Sequence, residues 1–445
     1  MTRERWADRT IWVLAIALAV VGVVATVWRP VAPSLPSMPV PQEAFDDGIL
    51  AAVRSYRVPR LVGATALLLL NVALPVLLVL WGRSRRWLVR RCGDKAHAPV
   101  RGGLVGAVIV VIIALVEAPL LFWLGHVHPG QWGFRTASAV GWARDFVAAL
   151  LIEAVVAGVA VAALLVVVAR ARRSWPAWAA VLGTVLTAVV VVLQPLVVEP
   201  LFLPTTSMPA GPMRDRLQEV LASAGVEADL LVGAASQRTT NVNAYVAGLG
   251  PTRRVVVYDT LLDLPRDAVA AVVAHELAHR EHEDVLRGVI GTSAALLPAA
   301  MLLAWWLRRP RLVALVGARS PADPRLVPVL VAGVAVLTLA GLPLANTWSR
   351  RAEAAADARA LELTRDPSAL IETFRIFVVS DLSWPDPPGV RTVLFGTHPP
   401  ANERIRAVVG QAQRAGLDVP PVAVFQEQEV ARRHLRAAAS TPGTP

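Results

Sequence analysis

Seven stretches of this sequence are apolar for long enough to cross a lipid bilayer, and no other feature limits the fold so severely. They run over about residues 11–28, 61–81, 104–125, 146–169, 177–199, 288–307 and 327–346. At ~1.5 Å per residue, a helix of about twenty residues matches the ~30 Å hydrocarbon core. A mean hydropathy of +0.53 and 55% hydrophobic residues lie well above those of a soluble domain. The 17% of residues that are charged fall mostly between the runs. The expectation is a mainly α membrane protein with about seven transmembrane helices. The first run follows Arg3, Glu4 and Arg5 and leads to no small-x-small cleavage site ahead of a soluble domain, so it reads as a retained anchor. A stiff segment with Pro30, Pro33, Pro36, Pro39 and Pro41 separates it from the second run.

The net charge of +11 is almost wholly arginine, with Lys95 the only lysine, and the arginines cluster at the ends of apolar runs. That placement suits topology signals and contact with lipid head groups. No basic face is interleaved with aromatics, so nucleic acid is not an expected partner. Cys92 is alone, which excludes an internal disulfide and a cysteine-based metal site. Glu117 and Glu153 lie in the third and fourth runs. They indicate either a polar, water-containing space between helices or ends that snorkel or stay protonated.

Two stretches are soluble in character. Residues 1–202 hold five spans, 203–287 form a first soluble part, 288–348 a two-span hairpin, 349–422 a second soluble part, and 423–445 a flexible tail. Within the first part the pattern predicts a helix over 214–224 and strands over 230–233, 244–247 and 254–258. Gly248, Gly250 and Pro251 form the turn between the last two strands. Asp263 as N-cap, with Pro265 in the first turn, is expected to start a helix running to about Asp284.

That helix carries His275-Glu276-Leu277-Ala278-His279. Residues four apart share a helix face, so His275 and His279 can present two imidazoles to one metal ion with Glu276 beside them. A zinc hydrolase needs this combination: neutral nitrogen ligands, an open coordination position and a carboxylate base. With 8 His in 445 residues, chance produces the pattern in roughly one such chain in a hundred. His282, three residues after His279, falls about a turn further along and reads as solvated or as a partner of a ligand.

A third ligand is required. The alanine-rich segment Arg351-Ala352-Glu353-Ala354-Ala355-Ala356-Asp357 is helical in character, with Glu353 and Asp357 on one face. Glu353 can ligate the metal while Asp357 accepts a hydrogen bond from a ligand imidazole. Taken alone, the two carboxylates read more readily as an exposed face paired with Arg350, Arg351 and Arg359.

The His-Glu-x-x-His motif, followed after a membrane hairpin by Glu353-x-x-x-Asp357, resembles the type I CAAX prenyl endopeptidases, integral-membrane zinc metalloendopeptidases. Four further segments are similar to that family. They are Asn243-Ala244-Tyr245 with Arg254 to Leu262, and His398-Pro399-Pro400 with Glu403-Arg404-Ile405. The other two are Pro200-Leu201-Phe202, and Gly133-Phe134 with Thr136 and Asp145. The resemblance implies a discontinuous, gluzincin-like zinc metalloprotease domain with a small β-sheet, and one Zn2+ on His275, His279 and Glu353. Glu276 is then general base, His398 a donor to the oxyanion, and Arg404 a partner of Asp357. Asn243, Ala244 and Tyr245 lie on a strand that can bind an extended peptide.

The expected partners are a peptide or protein substrate, with a prenylated peptide among the candidates, and the lipid bilayer. The alternatives are a heat-shock-type membrane quality-control protease with the same chemistry, or a transporter in which the histidines are incidental. A transporter would show internal repeats, and none is found. Arginines at 83–101, 170–173 and 308–325 mark one side as cytoplasmic, which puts both soluble stretches outside. The family resemblance implies a cytosolic catalytic domain, and the charge bias is the stronger of the two over such short loops.

Overall fold

The computed structural model describes residues 47–82, 97–248 and 253–419, with Phe45, Arg86, Trp87 and Arg90. The apolar run 11–28, the proline-rich segment, Cys92, Gly250, Pro251 and the tail 423–445 lie outside the described residues.

Among the described residues six helices are long and apolar enough to span a membrane, and they coincide with the last six predicted runs. The first four come before the soluble part: α1 (Asp47–Leu80), α2 (Ala98–Phe122), α3 (Ala139–Arg170) and α4 (Trp175–Leu193). α2 and α4 each continue through a π turn, to Gln131 and Phe202 respectively. α2 and α3 meet backbone to backbone: a Cβ on Gly103 would stand 2.6 Å from the Gly158 carbonyl oxygen. Close helix contact of this kind replaces hydrophobic driving force in lipid. Glu117 of α2 is buried, and its Oε1 accepts from Asn71 Nδ2 of α1 at 2.8 Å, so this carboxylate faces the helix interior. Glu153 is exposed.

α1 starts at Asp47, about four turns ahead of the apolar run predicted from 61. Its first turns are not lipid-facing: Ile49, Ala52, Val53 and Tyr56 are buried with Phe134 of the α2–α3 connection and with Val378, Val379 and Leu382 of the soluble part. Tertiary packing therefore extends the helix where hydropathy cannot.

The soluble part opens with β1 (Thr205–Ser207), α5 (Pro212–Ser223), β2 (Asp229–Gly233), β3 (Ala244–Ala247) and β4 (Arg254–Tyr258). The sheet order is β1-β2-β4-β3, with β2 and β4 parallel and the outer pairs antiparallel. β1 has three exposed residues and no alternation, so nothing in the sequence announced it. Gly248, at φ +82°, starts the turn between β3 and β4 as expected.

α6 spans Arg266–Glu281, flanked by Pro265 with no side-chain cap. The expected Asp263 cap is corrected here. Turn bonds from Leu261 N to Tyr258 O (2.9 Å) and Leu264 N to Leu261 O (3.1 Å) hold 258–264 as a tight turn, and the helix starts only after it. α6 also stops short of Asp284, because Glu283 is left-handed (φ +53°) and α7 (Asp284–Leu307) leaves in a new direction. α8 (Pro310–Val316) leads to α9, a single helix from Val327 to Thr364. Its 38 residues reach ~57 Å, nearly twice the bilayer core. The expected boundary at 348/349 is thus not a break, since the last span and the third-ligand helix are one rod. α10 (Pro367–Ser380), α11 (Gly389–Phe395) and α12 (Ala401–Arg414) complete the chain. α5, β2, β3, β4, α6, α9, α10 and α12 share one core that includes Leu217, Val255, Val257, Val273, Leu361, Phe374 and Ile405.

Candidate metal centre

α6 and α9 approach along alanine. Ala271, Ala274 and Ala278 of one helix and Ala352, Ala356 and Ala360 of the other are all buried. Small side chains let the axes close up, which brings the longer groups between them into contact. His275 and His279 lie on that face, their rings edge to face at 4.6 Å and their Nε2 atoms 3.0 Å apart. Glu353 enters from α9, with Oε2 3.2 Å from His275 Nε2 and Oε1 3.4 Å from His279 Nε2. One ligand atom from each of the three residues lies within 4.8 Å of the other two.

Each imidazole is also held from behind. His275 Nδ1 stands 2.8 Å from Asp357 Oδ1, and His279 Nδ1 stands 2.9 Å from Asp284 Oδ2. A carboxylate on Nδ1 selects the tautomer whose Nε2 lone pair points into the site. Asp357 is in turn gripped by Arg404, whose Nε donates to Oδ2 at 2.7 Å and Nη2 to Oδ1 at 2.6 Å. The guanidinium stacks over Phe374 at 4.1 Å. The exposed-face reading of Glu353 and Asp357 fails because both are buried and the arginines are engaged elsewhere. Arg359 pairs with Glu281 and Glu362, and Arg350 with backbone carbonyls. Asp284 was missed from sequence. Five residues after His279, it reaches back only because Glu283 turns the chain.

The donor set fits a metal ion. Two imidazole nitrogens with converging lone pairs cannot satisfy each other, and Glu353 Oε2 is buried with no hydrogen-bond donor. Two nitrogens and a carboxylate, leaving a fourth position open, are what zinc accepts at a catalytic site. Burial disfavours charge on His275, but the carboxylates of Asp357 and Glu353 beside it outweigh burial and raise the imidazole to about 10. The field that favours a proton there favours a metal cation, and the two compete. His282 is the cap residue of α6 and is not among the three converging groups.

Glu276 is half-buried beside the two imidazoles. Burial pushes its carboxyl above the usual range, opposed by His275 and His279. His398, in the loop before α12, brings Nε2 to 3.3 Å from Glu353 Oε2. Burial lowers its pKa and Glu353 partly offsets that, which favours the neutral ring. β3 is an edge of the sheet, so one side of Ala244 and Tyr245 has no strand partner among the described residues. Asn243 leads into it, its carbonyl accepting from Tyr258 N at 3.0 Å. The Gly133–Phe134 segment supports the approach to this strand. Thr240 N donates to Phe134 O (3.1 Å), Thr136 N donates to Arg238 O (3.1 Å), and Arg238 pairs with Asp145.

Residues 208–412 match the model of peptidase family M48, and residues 53–203 match that of the CAAX prenyl protease N-terminal region with five membrane helices. Residues 208–412 of this chain belong to peptidase family M48. The chain is a multi-pass membrane protein and a metalloprotease. The uncharacterised metalloprotease YhfN of Bacillus subtilis (strain 168) is 27% identical over 303 residues, 67% of this chain and 71% of YhfN. A CAAX prenyl protease 1 homologue of Oryza sativa subsp. japonica is 26% identical over 174 residues, 38% of this chain and 41% of the plant protein. The crystal structure of S. mikatae Ste24p superposes with a TM-score of 0.74 at 19% identity, covering 89% of this chain and 98% of that one. The fold shared with that structure therefore extends through the membrane helices.

Proposed function

We propose that this M48 protein is a zinc endopeptidase that cuts peptide bonds at the membrane surface, with His275, His279 and Glu353 as the ligands. One observation carries the reading: both Nε2 atoms and the Glu353 carboxylate converge while each Nδ1 stands within 2.9 Å of an aspartate oxygen. When bound, zinc supplies Lewis acidity that polarises a carbonyl and brings the pKa of a water to about 7. Glu276 takes the proton of the attacking water and hands it to the departing amide nitrogen. His398, neutral and carrying an N–H, donates to the carbonyl oxygen as negative charge develops there. Asp357 and Asp284 hold the ligand imidazoles in orientation, and Arg404 holds Asp357. The open edge of β3 aligns an extended substrate by main-chain hydrogen bonds.

The test is zinc stoichiometry measured together with cleavage of a fluorogenic peptide by the detergent-purified protein and Glu276→Gln. The expected result is one zinc per chain in both and a loss in kcat of about 10²- to 10⁴-fold in the variant. Full activity without Glu276, or no bound zinc, overturns the reading. The plant relatives' name, CAAX prenyl protease 1 homologue, makes a prenylated peptide the first substrate to try. Comparing a farnesylated CAAX peptide with its unprenylated form separates this from general quality-control proteolysis.

A further inference from the structure

His398 faces Glu353 across 3.3 Å, yet its side chain is 57% exposed, so packing alone does not fix it. Its place depends on how the segment 385–400 is anchored. At one end Asn402 donates through Nδ2 to Asp386 Oδ2 (2.6 Å) and through its backbone N–H to Pro385 O (3.3 Å). At the other end the anchor is α9 itself. Arg350 Nη1 donates to Thr392 O at 2.8 Å and to Gly396 O at 2.7 Å, and Asn346 Nδ2 donates to Val393 O at 3.0 Å. These carbonyls lie at the C-terminal end of α11, where a cation is favoured, and Thr392 O also accepts from Gly396 N at 3.1 Å. Thr347 Oγ1 donates to Pro343 O (2.7 Å) and accepts from Arg350 Nη2 (2.9 Å), fixing the guanidinium in turn.

Asn346, Arg350, Glu353 and Asp357 are spaced four, three and four residues apart, so they share one face of α9. We propose that Arg350, with Asn346, is a positioning residue for catalysis: it latches the 389–398 segment to the helix that carries Glu353 and so sets His398 at the height of the reacting carbonyl. The proposal deepens the peptidase reading and rests on His398 acting as a donor. Arg350 bonds Thr392, Gly396 and Thr347 and acts through Gly396, two residues before His398. A small misplacement of such a donor is costly, because its value depends on meeting the charge where it forms.

The test uses the full-length, zinc-loaded protein in detergent with a fluorogenic peptide, comparing Arg350→Ala, Arg350→Lys, His398→Ala and the double variant Arg350→Ala/His398→Ala. The expected loss in kcat is about 10²-fold for His398→Ala and on the order of tenfold or more for Arg350→Ala, with KM and zinc content unchanged. Lys, which reaches one carbonyl but not two, restores part. The double variant should be no slower than His398→Ala, since the latch has nothing left to position. Amide exchange over 389–398 should rise in Arg350→Ala while β2 and β4 stay protected. Losses that multiply in the double variant, or unchanged exchange over 389–398, overturn the latch. If Arg350→Ala does not fold, Asn346→Ala carries the same readouts. Wild-type rates in both His398→Ala and Glu276→Gln would instead sink the peptidase mechanism, and amide exchange would still decide the latch.

Discussion

At the residue scale the centre is built from imidazoles used at both nitrogens, and the aspartates behind them matter as much as the ligands. Asp284 is nearly buried and commits its Oδ2 to His279. Asp284→Ala should weaken zinc affinity about 10- to 100-fold, measured by competition with a chelator, and kcat should recover at saturating zinc. An unchanged affinity would mean that His279 is oriented by its helix alone. His275, His279 and Glu276 were legible in the sequence because they obey a local rule, four-residue spacing of the two histidines on a helix. Glu353 and Asp357 were legible only through the family resemblance, since spacing alone favoured an exposed face. Asp284 was not legible at all. Its role depends on the left-handed Glu283, and a non-glycine residue in that region carries no reliable sequence signal.

At the scale of elements, the alanine seam between α6 and α9 sets the distance from Glu353 to the imidazoles. Ala356 is fully buried in that seam. Ala356→Leu adds volume where none is free, and overpacking of this kind costs about 1–3 kcal/mol. The expected outcome is a lower melting temperature together with reduced zinc per chain, because the helices can separate only by drawing Glu353 off His275. A variant that loses stability but binds zinc normally would show that the seam does not set the site. β3 offers a separate test. If the β3 edge holds the substrate as proposed, Asn243→Ala should raise KM several-fold with kcat little changed. β2, β3 and β4 were readable from short apolar runs and the turn at Gly248, with β4 the β-branched one, and β1 was not. The continuity of α9 was not readable, because hydropathy falls at Ser349 while helical propensity does not.

At the scale of the whole molecule, membrane and catalytic parts are joined through the first described helix. Arg57 of α1 donates to Leu382 O (2.7 Å), Asp381 O (2.7 Å) and Ser383 Oγ (3.1 Å), beside the core that α1 shares with α10. The spans themselves were legible from hydropathy, but this junction was not. It is made by Arg57 and by backbone carbonyls around Leu382, which is left-handed at φ +46°. The junction also holds a titratable group. Burial pushes the Asp381 carboxyl up from 3.8 to about 6, Arg57 opposing, and Oδ1 has no hydrogen-bond donor. The folded value lies above the unfolded one, so between pH ~4 and ~6 the unfolded chain releases a proton that the folded chain keeps. Stability from this group is therefore greatest below pH ~4, falls as the pH rises to ~6, and is flat above it. Asp381→Asn removes the charge that burial penalises. It should raise the melting temperature at pH 7, by up to about 3 kcal/mol of stability, and leave it unchanged at pH 4. Thermal unfolding in detergent at the two pH values measures this directly. A variant less stable at pH 7 than the native chain would show that the carboxylate's attraction to Arg57 outweighs its burial, and that the junction is held by charge as well as by packing.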